Sequence, residues 1–241
     1  MATVTTTTEP VLSEDDRRVW DIWMRTANVH ARTQAHRRRI ESSLRLLDRV
    51  LTETPKSAVS WSGGKDSTVM THLVCVRAGA KIAVFSEKDD LDYPGEEEYV
   101  RRLGKEWRLD LRIVHPPISP RRWVADHAKS MSPGDDIHGR SAGLSKACFY
   151  RVMEECNHGY DAVMLGLRSE ESGIRRHLRV SRGRYYELVD GTRRVLPIAD
   201  WTGIDVYAYA ESNGIDLLPM YRCVAFAHRD EPWRLRKSWW L

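Results

Sequence analysis

Apolar residues in the first fifty positions recur at the three- and four-residue spacing of a helix, as Val19, Trp20 and Trp23 and then as Ile40, Leu44, Leu47 and Leu51. Ser13, followed by Glu14, Asp15 and Asp16, is a helix start, with a hydroxyl for exposed amides and acids at the positive end. One or two N-terminal helices are therefore predicted before Pro55. From Lys56 the pattern changes to short apolar runs separated by helical ones. AVSWS (58–62), IAVFS (82–86), LRIVHPP (111–117) and DAVMLG (161–166) read as strands. Between and beyond them, helices are predicted around Val69, Met70, Leu73 and Val74, over Pro94–Trp107, over Leu144–Cys156, and after Thr202, where Asp205 holds the capping-box position. Residues 119–141 are irregular, and MSPGDDIHGR (131–140) reads as a loop, either a lid or an ordinary surface excursion.

Strands alternating with helices predict an α/β fold, a mostly parallel sheet sandwiched by helices, with an N-terminal helical extension. Such sheets bind ligands beyond the carboxyl ends of their strands. A glycine loop after Ser62 and a polar loop after Leu165 both fall there and are expected to share one nucleotide site.

A length of 241 residues suits one sizeable domain. The expected division is a flexible tail (1–12), a helical extension (13–54), a nucleotide-binding domain (55–218) and a Trp-rich tail (219–241). No run reaches the roughly 18 apolar residues of a membrane helix and no signal-peptide pattern opens the chain, so a cytoplasmic protein without membrane contact is expected. Cys75, Cys148, Cys156 and Cys223 form no CxxC pair, which leaves no zinc or iron–sulfur site to expect. The formal net charge is only +4, yet RRHLRVSRGR (175–184) concentrates positive charge, to attract a polyanion, to grip a nucleotide, or as a solvated basic face.

The most informative stretch is VSWSGGKDST (59–68). Gly63 and Gly64 allow close approach of backbone amides to phosphate, Ser60, Ser62 and Ser67 offer hydroxyls, Lys65 adds a mobile positive charge, and a helix start follows. Walker A spacing fails, because Val59 occupies the upstream glycine position and Asp66 follows the lysine; the GxGxxG dinucleotide spacing is absent too. Asp66 is a helix-start cap or a magnesium ligand.

SGGKDS resembles the signature of the PP-loop ATP pyrophosphatases, a Rossmann-like superfamily, and in particular the branch of phosphoadenosine phosphosulfate reductases and the ATP sulfurylase small subunit. IAVFSEKDDLDYPGEEEYV, GLRSEESGIRR and VLPIADWTGIDVYAY extend the resemblance from about Lys56 to Leu218. It implies ATP as the bound nucleotide, cleavage between its α and β phosphates, and magnesium. It assigns phosphate contacts to Ser62–Ser67 and a second contact segment to Gly166, Arg168, Glu171, Arg175 and Arg176, with Lys65, Arg168 and Arg175 as catalytic cations and Asp66 and Glu171 as metal ligands. Ser86, Glu87, Lys88 and Asp89 fall where relatives contact ribose or base, and Trp201 matches a core-packing tryptophan.

Adenylation of an acceptor in a sulfur-related pathway is the expected reaction. Sulfonucleotide reduction is the alternative, although the reductase ECGxH segment is missing and only Cys223 with His228 stands near its place. A noncatalytic nucleotide-binding subunit is a third reading, with Trp233, Trp239 and Trp240 against a partner. A homo-oligomer, or a GTPase or sulfur-transfer partner, is expected from the resemblance, with nucleic acid as a further partner class.

Overall fold

The computed structural model describes residues 12–90, 92–115, 119, 122, 126 and 159–230. The helix expected at 144–156, the loop at 131–140, Cys148, Cys156 and the three C-terminal tryptophans lie outside them.

Helix α1 (Glu14–Ala31) starts where Ser13 Oγ accepts from the Asp16 amide at 3.0 Å, with three acids in its first turn. Helix α2 (Gln34–Glu53) is capped in the same way by Thr33. Both N-terminal helices are thus present, and Thr54 ends the second before Pro55. Strand β1 (Ser57–Ser60) leads through the glycine loop into α3 (Lys65–Thr71), which continues as a π-helical turn over His72–Arg77. Strand β2 (Ala83–Glu87), helix α4 (Glu96–Glu106) and strand β3 (Asp110–Val114) follow within a few residues of the predicted bounds. After the undescribed segment come β4 (Ala162–Leu165), α5 (Gly173–Arg182), β5 (Tyr185–Glu187), β6 (Arg193–Val195), α6 (Gly203–Ser212) and a short α7 (Met220–Cys223).

The six strands form one sheet in the order β3-β2-β1-β4-β6-β5, parallel except for β5. Strand β1 lies between β2 and β4, with Val59 opposite Val84 on one side and Met164 on the other. The chain reverses its winding direction here, which opens a crevice beyond the carboxyl ends of β1 and β4.

The helical extension shares the sheet's core. Ala27, Leu47 and Val50 belong to the same buried apolar cluster as Val59, Val84 and Met164. Trp201 packs there as expected, its indole N–H donating to Ser43 Oγ at 3.0 Å. Asp205, the predicted capping residue of α6, accepts from the Thr202 amide through Oδ2 at 2.7 Å. Its Oδ1 meets His30 Nε2 at 2.7 Å, His36 Nδ1 at 2.9 Å and Arg39 at 3.2 Å. One carboxylate therefore ties both N-terminal helices to the second half of the sheet domain.

Candidate functional site

The loop at the end of β1 is braced from within. Thr68 Oγ1 accepts from the Trp61 indole at 2.9 Å and donates to the Gly63 carbonyl at 3.2 Å, while Ser62 and Ser67 hydroxyls lie 2.9 Å apart. Gly63 has φ +84°, in the left-handed region that glycine tolerates, and a Cβ there would lie 2.9 Å from Glu96 Oε1. Glu96 in turn pairs with Lys88 at 2.5 Å, and Lys88 donates to the Ser62 carbonyl at 3.1 Å. Both side chains are buried beneath the loop. Lys88 is therefore a prop for the loop, from within the segment expected beside ribose or base.

Lys65 is also not the mobile cation that its loop position suggests. Its side chain is only 1% exposed, its ammonium pairs with Asp66 Oδ2 at 2.8 Å, and it lies 5.8 Å from the centre of the Tyr221 ring. The Lys65 amide donates to the Tyr221 hydroxyl at 2.9 Å, so this helix-start amide already has an acceptor. Asp66 Oδ1 accepts from Arg168 Nε at 2.5 Å, which bridges the loops after β1 and β4. Burial opposes ionisation of Asp66, but the charges of Lys65 and Arg168 hold its carboxyl below the ordinary aspartate value. Arg168 is 1% exposed and also pairs with Glu170 at 2.5 Å, whose carboxylate accepts from the Gly203 amide at the head of α6. Burial works against the Arg168 charge, yet Asp66 and Glu171 raise its pKa above the guanidinium norm.

Gly166 does permit a close approach, of protein backbone. A Cβ there would come within 2.6 Å of the Ser67 Cα and 2.8 Å of its nitrogen. The β4 exit loop thus lies directly on the first turn of α3, which is what brings Arg168 to Asp66.

Glu171 accepts from the Arg168 amide at 2.9 Å and pairs with Arg175, which keeps Arg175 next to this network. Arg176 is exposed one position further along α5 and makes no ion pair among the described residues. Ser60 ends β1 beside Phe85 and Leu165. Ser86, near the carboxyl end of β2, is fully buried and its Oγ has no hydrogen-bond partner among the described residues, leaving a polar handle for a ligand.

The two carboxylates expected to hold magnesium do not fit that role. Both Asp66 oxygens face cations, and Glu171 is engaged by Arg168 and Arg175. Among the described residues, the group with metal-ligand spacing is His30, His36 and Asp205, and Arg39 already pairs with that carboxylate at 3.0 Å.

Of the described cysteines, Cys75 is buried and its thiol is pushed up to about 12. Cys223 is partly buried on α7, and burial with the nearby Asp16 charge raises its thiol above the ordinary value. Tyr221 and Glu96, and the propping role of Lys88, were not legible in the sequence; no local spacing signals them, because these roles depend on chain segments packed from elsewhere.

Residues 56–223 match the phosphoadenosine phosphosulfate reductase domain. A phosphoadenosine 5'-phosphosulfate reductase of Serratia proteamaculans is 26% identical over 184 residues, spanning 73% of this chain and 70% of that protein. Sulfate adenylyltransferase subunit 2 of Caulobacter vibrioides is 25% identical over 216 residues, 77% of this chain and 65% of that one. In three dimensions, the crystal structure of phosphoadenylyl-sulfate reductase from Candida auris in a phosphate complex superposes with a TM-score of 0.55 at 18% identity, covering 73% of this chain and 81% of that one.

Proposed function

The chain belongs to the phosphoadenosine phosphosulfate reductase domain family, and within it we propose an ATP-using enzyme that cleaves between the α and β phosphates and adenylates an oxyanion acceptor. Lys65 and Arg168, two buried cations joined through Asp66 at the β1–β4 crevice, are the observation that carries this reading. In the proposed step an acceptor oxygen attacks the α phosphorus, the bond to the α–β bridging oxygen breaks, and pyrophosphate leaves with the electron pair. Charge grows on the departing oxygens, where Lys65 and Arg168 stabilise it, while Arg175 orients the acceptor. With water as acceptor, the product is AMP. Ser86 Oγ supplies a buried polar contact for the nucleoside.

Incubation with α-labelled ATP, with and without sulfate as acceptor, tests the reading. Pyrophosphate with AMP or an adenylyl adduct is expected, whereas ADP with phosphate, or no turnover by folded, nucleotide-bound protein, would rule it out. The names of the relatives favour a second reading, reduction of a sulfonucleotide to sulfite with a dithiol as electron donor. Cys223, at the end of α7, has its thiol raised, which disfavours the thiolate that this route needs. Sulfite release that Cys223→Ala abolishes would reverse the order of the two.

A further inference from the structure

Arginines that the crevice does not use gather on one side of the molecule. Arg175 aside, helix α2 and residues 173–195 together carry eleven arginines against five carboxylates, an excess of six in a chain whose whole net charge is +4. Three elements meet there. Arg184, at the head of β5, donates to Ser42 Oγ on α2 at 3.0 Å and shares Asp200 with Arg179 of α5. Arg49 of α2 lies over the Tyr185 ring of β5 at 5.5 Å. Arg38, Arg45 and Arg49 stand at i, i+7 and i+11, one face of α2. A continuous basic strip therefore runs from α5 across β5 and along α2.

The strip is crowded beyond what its own carboxylates relieve. Arg184 is held below the ordinary guanidinium value by burial and by the charges of Arg179 and Arg45, which outweigh the opposing pull of Asp200. Arg38, Arg45, Arg176 and Arg182 are exposed and have no ion-pair partner among the described residues. Like charges held this close destabilise the fold, and an external polyanion removes that cost.

We propose that this strip is a docking surface for the phosphate backbone of a nucleic-acid duplex, read without regard to base sequence. The charges are spread along a line instead of converging on a pocket: Arg38 to Arg49 alone span about 16 Å of helix, enough to meet phosphates on both sides of a groove roughly 12 Å wide. Guanidinium forks match phosphate oxygens in pairs. Gln34, in the first turn, is the one side-chain amide on the face of α2 that carries them, so contacts there are chiefly charge to phosphate. Tyr185 and Tyr186 are covered by Arg49 and Arg182, so these rings are not presented as wedges for lipid.

Fluorescence anisotropy of the full chain with a labelled duplex of about 20 base pairs, at several salt concentrations, tests the proposal. Nucleotide is omitted, so the outcome is independent of the ATP reading. Saturable binding is expected, equal for unrelated sequences, with a salt slope that becomes shallower by about 1 for each of Arg45→Gln and Arg182→Gln. The double reversal Arg45→Glu with Arg182→Glu should weaken binding about tenfold or more, while Arg17→Glu with Arg25→Glu on α1 leaves it within about twofold. Circular dichroism melting shows that each variant is folded, and the glutamine variants serve if reversal disturbs the fold. No binding at low salt, an equal loss in the α1 pair, or equally tight binding to phosphatidylserine-rich vesicles overturns the proposal.

Discussion

Arg168 has its charge balanced by Asp66 and Glu170 before any ligand arrives, so its removal leaves the buried Asp66 with Lys65 alone and Glu170 with only the Gly203 amide. Arg168→Ala should lower pyrophosphate release from ATP by about 10²- to 10³-fold, read by single-turnover quench, because one preorganised cation is lost. The same change should cost about 3–5 kcal/mol in urea unfolding, since an ion pair broken from one side is worse than none. Arg168→Lys should restore part of the stability and little of the rate, because an ammonium cannot reproduce the fork between Asp66 and Glu170. At this scale Lys65, Asp66 and Arg168 were readable in the chain, since the glycine turn and the polar loop after β4 announce themselves locally. Tyr221 was not: its phenol reaches the Lys65 amide from 156 residues away, and nothing in LLPMYRC marks it. The mobility expected of Lys65 failed for the same reason, because Asp66 and the Tyr221 ring, which pin it, come into view only on folding.

Among the elements, α3 and its π-helical continuation carry a histidine whose titration should show in stability. Burial and the Arg77 charge lower the His72 pKa to about 4, and its Nδ1 lies 3.1 Å from the Tyr209 hydroxyl. An unfolded histidine titrates near 6.5, so between these values the unfolded chain binds the extra proton. Stability linked to His72 is therefore full above about pH 6.5 and falls as the pH drops towards about 4. Chemical denaturation at pH 7 and pH 5 should show this loss, and His72→Phe should flatten it. Asp205 acts further into acid. Despite burial, its hydrogen bonds from His36, Thr202 and His30 hold its carboxyl well below the aspartate norm, so its contribution is present above about pH 4 and declines below it. Asp205→Asn should cost about 3–5 kcal/mol at pH 7, by thermal melting or urea unfolding, since three cationic or imidazole partners lose their anion. Most helices and the four parallel strands first met in the chain were readable from periodicity, within a few residues. Strands β5 and β6 were not, because YYE and RRV are too short and too charged to show a period of two.

For the molecule as a whole, the helical extension is part of the core. A chain lacking residues 1–53 would expose Trp201, strip Asp205 of His30, His36 and Arg39, and leave Val59 and Met164 without Ala27, Leu47 and Val50 above them. Such a truncation should lose its cooperative melting transition and bind an environment-sensitive apolar dye, whereas an independent domain would keep a sharp transition. The parallel α/β architecture followed from the alternation of apolar runs, but the sharing of one core by extension and sheet did not, because helical periodicity reveals an apolar face and not what covers it.

The contact between Gly166 and Ser67 also has a kinetic side. It joins segments about a hundred residues apart, as does the Asp66–Arg168 pair with its separation of 102. Pairings this distant in a parallel sheet form late, after a large loop has closed. Until β4 settles beside β1, Lys65 and Arg168 belong to two unconnected pieces of chain, so a partly folded species has no weakened version of the site. Recovery of nucleotide binding during refolding should therefore track the last, slowest phase of assembly rather than the earlier appearance of helix.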